Sequence, residues 1–116
     1  MTRRDDQRLT DIVAAAAAVD DHLGRGDLDD GLVFDAVRVR LIEIGEAVRA
    51  IDPALLARER DVPWVDVAGM RNHLAHRYFD TARTVVRATI DHDLPPLLAA
   101  VERLLESLRQ ESSPQD

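Results

Sequence analysis

Residues 30–51 read DGLVFDAVRVRLIEIGEAVRAI. Within them Phe34, Val37, Leu41, Ile44, Val48 and Ile51 recur at spacings of 3, 4, 3, 4 and 3. That is the period of a helix burying one long seam. Such a seam favours nearly antiparallel packing between long helices, so the stretch predicts a helical bundle with one helix over about Asp30 to Ile51. Arg38, Glu46 and Arg49 lie off the seam. Gly45 could let a neighbouring helix come close to Glu46, although an exposed helix carboxylate is the commoner reading. Asp52-Pro53 stops the helix, because the residue before a proline is pushed out of the helical region. Residues 53–60 have room for a short helical turn.

The flanking segments repeat the helical pattern. Leu9, Ile12, Val13, Ala16, Val19 and Leu23 predict a first helix over about Asp5 to Leu23. Asp5 and Asp6 suit the positive end of its dipole, and the alanines from Ala14 to Ala18 allow close packing. Gly24 and Gly26 end it. After Pro63 a third helix is expected over about Trp64 to Phe79, and Asp80 or Thr81 is placed to cap a fourth reaching Ile90, with Val85, Val86 and Ile90 inward. Asp93 is the expected N-cap of a last helix that tolerates Pro95 and Pro96 in its first turn. Leu97, Leu98, Val101, Leu104, Leu105 and Leu108 form that helix's apolar face. No strand signal, repeat or linker interrupts the series, so the expected fold class is all-α: four main helices plus short ones. One domain spans residues 1–110, and 111–116 form a frayed polar tail.

Composition narrows the function. The chain has 116 residues, enough for one domain with a real core. Its apolar content is 46% against 3% aromatic, so that core is aliphatic. Absence of cysteine excludes disulfides, thiol catalysis and cysteine-ligated zinc. The N-terminus turns acidic without a signal-peptide apolar run, and no apolar run approaches the roughly 20 residues of a membrane span. A soluble, cytoplasmic protein with no membrane association is expected. The net charge of −7 argues against general nucleic-acid affinity. Residues 70–88 nevertheless carry +3 through Arg71, Arg77, Arg83 and Arg87 against Asp80, which leaves −10 on the rest.

That basic segment holds the chemistry-bearing cluster, Met70-Arg71-Asn72-His73-Leu74-Ala75-His76-Arg77-Tyr78-Phe79. On a helix Val67, Met70 and Leu74 make a narrow apolar stripe. Arg71, Asn72, Ala75, His76 and Tyr78 fall on the other side, within an arc of about 160°. A guanidinium can donate two hydrogen bonds to phosphate oxygens and offset transition-state charge, and an imidazole of ordinary pKa about 6.5 can move a proton near neutrality. Arg71 and His76 therefore suit a phosphodiester. They lie about 140° apart around a helix and roughly 7.5 Å apart along it, so two copies facing each other across a dimer axis would converge on one phosphate more easily than one copy. By spacing alone, an exposed arginine and a capping or buried histidine is the commoner meaning of R-x4-H. Asn72 shares a face with His76 at i, i+4 and could orient it. His73 and His76 could ligate a metal, but no third ligand stands at a suggestive spacing, so neither metal nor cofactor is expected. His22 and His92, in acidic loop-like contexts, are expected at the surface.

The residues 71–78 resemble the R-x4-H-x-Y signature of HepT-like toxins in the HEPN superfamily. Pro63-Trp64 leading into Ala68-Gly69-Met70, the Leu41 to Ala47 segment and Asp93-Leu94-Pro95-Pro96-Leu97 also resemble that family, which covers the chain from about Thr10 to Leu108. The resemblance implies a HEPN-like up-and-down bundle. It implies a metal-independent ribonuclease toxin acting as a homodimer, or a higher homo-oligomer, in which the ribose 2′-hydroxyl attacks the adjacent phosphate. Arg71 would bind and stabilise the phosphate, His76 would handle protons and Asn72 would support them. The implied partner is an MntA-like nucleotidyltransferase antitoxin, which would transfer AMP from ATP to Tyr78 and so block RNA. The alternative expectation is a non-catalytic HEPN subunit that binds a nucleotidyltransferase or a nucleotide. The acidic bulk favours that alternative, and the intact Arg71, Asn72, His76 and Tyr78 set favours the toxin.

Overall fold

The computed structural model describes residues 3–74 and 79–112. The chain is all-α, with no strand among the described residues. Two long helices come first, α1 (Arg3–Leu23) and α2 (Gly31–Ala50). The short helices α3 (Pro53–Leu56), α4 (Trp64–Ala68) and α5 (Met70–Leu74) follow. Helix α6 (Phe79–Ala88) runs through a π-helical turn (Thr89–Asp93) into α7 (Leu94–Ser112). No described helix is long and apolar enough to cross a membrane.

The periodic seam of α2 is the centre of the core. Phe34, Val37, Leu41, Ile44, Val48 and Ile51 are all buried, and Val37, Leu41 and Ile44 have no exposed surface. Each such side chain contributes about 1.5–3 kcal/mol on burial. Asp30 caps the helix, its carboxylate accepting from the Leu32 N–H at 2.9 Å. Helix α1 packs along α2, and Arg8 donates from Nη1 to the Ala50 carbonyl at 2.9 Å. A bond from the start of α1 to the end of α2 fixes them as antiparallel. Buried Leu9, Ile12, Ala16 and Val19 meet the seam from α1, and α7 packs against α1, with Leu97, Val101, Leu104 and Leu108 in the same core.

Asp52 caps α3 and Pro53 opens it, as a proline-initiated turn requires. The loop from α3 to α4 is tied to α7 by Arg58–Glu111 at 3.0 Å and Arg103–Glu59 at 2.7 Å. The Arg58 guanidinium holds the Glu111 carboxyl below its usual range, chiefly by hydrogen bonding. Residues 113–116, the end of the tail expected to fray, lie outside the described residues.

Three local expectations are corrected. The third helix is not continuous from Trp64, because its ladder stops at Gly69, separating α4 from α5. Glycine is the weakest non-proline helix former, costing about 1 kcal/mol against alanine, and here it ends a five-residue helix. Asp93 does not cap the last helix. Pro95 and Pro96 have no N–H for the carbonyls of Asp91 and His92, and the chain widens instead, the Leu94 N–H reaching the Thr89 carbonyl. Helix α6 is already formed at Phe79, so Asp80 and Thr81 lie within it rather than ahead of it.

Candidate active site on α5

Helix α5 is held from beneath by its apolar stripe. Val67, Met70 and Leu74 are 6%, 6% and 0% exposed, the three positions that helical spacing selects. Arg71 and Asn72 point the other way and are exposed. His76 and Tyr78, together with Ala75 and Arg77, lie outside the described residues. The site is therefore described at its Arg71–Asn72 end, and α6 resumes at Phe79.

The support for that end comes from α2. A Cβ on Gly45 would stand 2.8 Å from the Val67 carbonyl oxygen, closer than real Cβ atoms come. Glycine thus lets α2 approach the backbone of α4 directly, one residue away from Glu46. Glu46 lies across from Arg71, with its Oε1 4.0 Å from Nη1. Both side chains stay accessible, at 69% for Arg71 and 44% for Glu46. The pair is an open, solvent-screened contact at the limit of an ion pair. Gly45 and Glu46 each carried a faint sequence signal, but their spatial relation to Arg71 did not, since it depends on how α2 crosses α4.

Arg38, which has no place in the seam, braces the other end of α5. Its Nη1 donates to the Leu74 carbonyl at 3.4 Å. Its guanidinium lies 5.6 Å from the Phe34 ring centroid and its Nη2 3.8 Å from Asp35. The carbonyl it holds belongs to the last residue before the segment that carries His76 and Tyr78. Periodicity could not find this contact, since an off-seam arginine usually faces solvent.

The other histidines separate. His92 is exposed in the π-helical turn, as expected. His22 is partly covered, with a side chain 20% exposed, and its Nε2 accepts from Arg40 Nε at 3.3 Å. It belongs to the α1–α2 contact rather than to the open surface, because α2 brings Arg40 against the end of α1. Among the described residues no three His, Asp or Glu side chains group to hold a metal.

Comparison with known proteins agrees with the helical bundle. A family model described as "Ribonuclease HepT-like" matches residues 9–104. The chain belongs to the HepT-like family of the HEPN superfamily. It is 36% identical over 69 residues to "Putative RNase TTE0752" of Caldanaerobacter subterraneus subsp. tengcongensis, covering 59% of this chain and 62% of that one. It is 30% identical over 73 residues to "Putative RNase MJ0125" of Methanocaldococcus jannaschii, covering 62% and 63%. Identity to "Probable ribonuclease HepT" of Thermococcus cleftensis is 34% over 67 residues, covering 57% and 61%. The chain thus spans about six tenths of the length of these relatives. No solved structure matches it significantly.

Proposed function

We infer that this chain is an RNA-cleaving toxin, a single helical domain over residues 1–110 that works in the cytoplasm as a homodimer. The 2′-hydroxyl of a ribose attacks its adjacent phosphorus. The bond to the 5′ oxygen of the next nucleotide breaks, leaving a 2′,3′-cyclic phosphate and a 5′-hydroxyl. Arg71 binds the phosphate and offsets the charge of the transition state. His76 handles the protons, and Asn72 supports the pair. No metal is required, because the nucleophile is supplied by the substrate. The observation that carries this reading is Arg71, exposed on a helix whose opposite face is buried and set beside Glu46. Relatives named as RNases support it.

Control is read onto Tyr78. An MntA-like nucleotidyltransferase transfers AMP from ATP to its hydroxyl, with loss of pyrophosphate. The added phosphodiester pairs with Arg71 or a neighbouring arginine, and the adenosine fills the space over Ala75, so RNA loses both anchor and room.

The second reading, a non-catalytic subunit that binds a nucleotidyltransferase or a nucleotide, is favoured by the −10 charge outside residues 70–88. Induced expression separates the two. The wild-type chain expressed alone should arrest growth and fragment cellular RNA, and His76→Ala should do neither. Normal growth and intact RNA with folded, soluble wild type would favour the non-catalytic subunit.

A further inference from the structure

Helices α4 and α5 lean on α2, whereas α7 leans on α1. The gap between them stays open beside the π-helical turn as a cavity of about 530 Å³. Val67, Met70, Thr89 and Leu97 form its buried floor. Asp61, Asp66, His92 and Asp93 form its exposed rim. A concave, largely apolar space of this size with a few polar groups at its mouth has the build of a small-molecule site. Turns of π-helix give up regular hydrogen bonding and recur at functional sites. This one is imposed by Pro95 and Pro96, and it brings Thr89, His92 and Asp93 to one cavity.

The polar groups of this cavity are one-sided. Its three carboxylates only accept hydrogen bonds when ionised. Thr89, 7% exposed, already donates its hydroxyl proton to the Val85 carbonyl at 2.8 Å, so its oxygen too is left as an acceptor. Pro63 and Pro96, also in the wall, have no N–H to offer. His92 is the one lining side chain able to donate. Among the described residues no arginine forms an ion pair with Asp61, Asp66 or Asp93. Arg103, whose charge acts on Asp61, donates instead to Glu59 at 2.7 Å. The chain has no lysine that could supply an ammonium group of its own.

We propose that this cavity binds a small aliphatic diamine or polyamine, with its methylene segment on Val67, Met70 and Leu97 and its ammonium groups on the rim carboxylates. An ammonium group carries three donors and no acceptor, the complement of an acceptor-only rim, and its hydrogen bonds to carboxylates are charge-assisted. Several carboxylates around one mouth favour more than one ammonium group on the same chain. No Phe, Tyr or Trp stands among the described lining residues. The cation–π attraction on which quaternary ammonium sites depend is therefore missing, and recognition falls to the N–H donors. Val67 and Met70 belong to the apolar stripe that seats α5, so the bound amine lies against the back of the helix that presents Arg71. The inference does not depend on the RNA-cleaving reading.

Titration of the full-length chain with 1,6-diaminohexane at fixed ionic strength tests this, read by calorimetry and by the NMR signals of ¹³C-methyl methionine. The chain has two methionines, Met1 and Met70. The Met70 signal should shift saturably, with the dissociation constant that calorimetry gives, while the Met1 signal stays in place. Asp66→Asn and Asp93→Asn should each weaken binding by about tenfold. Both side chains are exposed, so the melting temperature should stay near that of wild type. Asp20→Asn changes an exposed carboxylate on α1 outside the cavity and should leave binding as it is. Hexamethonium has the same methylene chain with every N–H replaced by a methyl group, and should bind more weakly by about tenfold or more. Absence of saturable binding, an unmoved Met70 signal or equal affinity for hexamethonium would overturn the inference. So would an Asp20→Asn loss as large as that of Asp93→Asn, the mark of diffuse attraction to an acidic surface.

Discussion

At the residue scale Arg71 is exposed and faces Glu46. Its contact with Glu46 is 4.0 Å long and open to water, so it contributes at most about 1 kcal/mol to stability. Glu46→Gln should therefore leave the melting temperature nearly unchanged. If Glu46 helps hold Arg71 on the phosphate in the substrate complex, RNA cleavage should fall by roughly 10- to 100-fold. Equal cleavage by Glu46→Gln and wild type, measured on the same RNA, would remove Glu46 from the site. Tyr78→Phe keeps the ring and loses the acceptor oxygen. Intact-mass spectrometry after incubation with the nucleotidyltransferase and ATP should show added AMP on wild type and none on Tyr78→Phe. Equal labelling would place the modification elsewhere. Arg71, Asn72, His76 and Tyr78 are proposed from their local spacing in the sequence, and of these the structure describes Arg71 and Asn72. The contacts of Glu46 and Arg38 with α5 were not legible there, because they exist only once α2 is laid beside α4 and α5.

At the element scale the decisive contact is between α2 and α4. Gly45→Ala would drive a methyl against the Val67 carbonyl, where a Cβ would sit at 2.8 Å. Relief requires α2 and α4 to separate. That should cost about 1–3 kcal/mol in thermal or denaturant unfolding and should lower cleavage further than stability alone explains, since α5 moves with α4. Unfolding that matches wild type would contradict so close an approach. Helix identity was readable throughout. Every residue of the α2 seam is buried, as are Val67, Met70 and Leu74. Junctions were less readable. The break at Gly69 and the π-helical turn before Pro95-Pro96 depend on which carbonyls lose their donors and how neighbouring helices crowd the chain. Periodicity reports a face and is silent on such local accommodation.

At the scale of the molecule, an acidic sequence contains one basic segment, residues 70–88. On the proposed function RNA would bind through that segment against an acidic remainder, so binding should weaken steeply with salt. The offset of about 140° that a helix running on to His76 would set between it and Arg71 is the reason for proposing a site shared by two chains. Arg71→Ala and His76→Ala homodimers should each be inactive, by about 100-fold or more. A subunit-exchanged mixture should regain activity, because one of its two composite sites can draw the missing group from each copy. A monomer fully active at high dilution would contradict the shared site.

The most direct test of the central claim is the chemistry of the cut ends. Purified wild type should cleave RNA in excess EDTA and leave 2′,3′-cyclic phosphate and 5′-hydroxyl termini by mass spectrometry, with His76→Ala yielding neither. Cleavage that stops on chelation and returns with magnesium or zinc, or fragments ending in 5′-phosphate, would contradict the account.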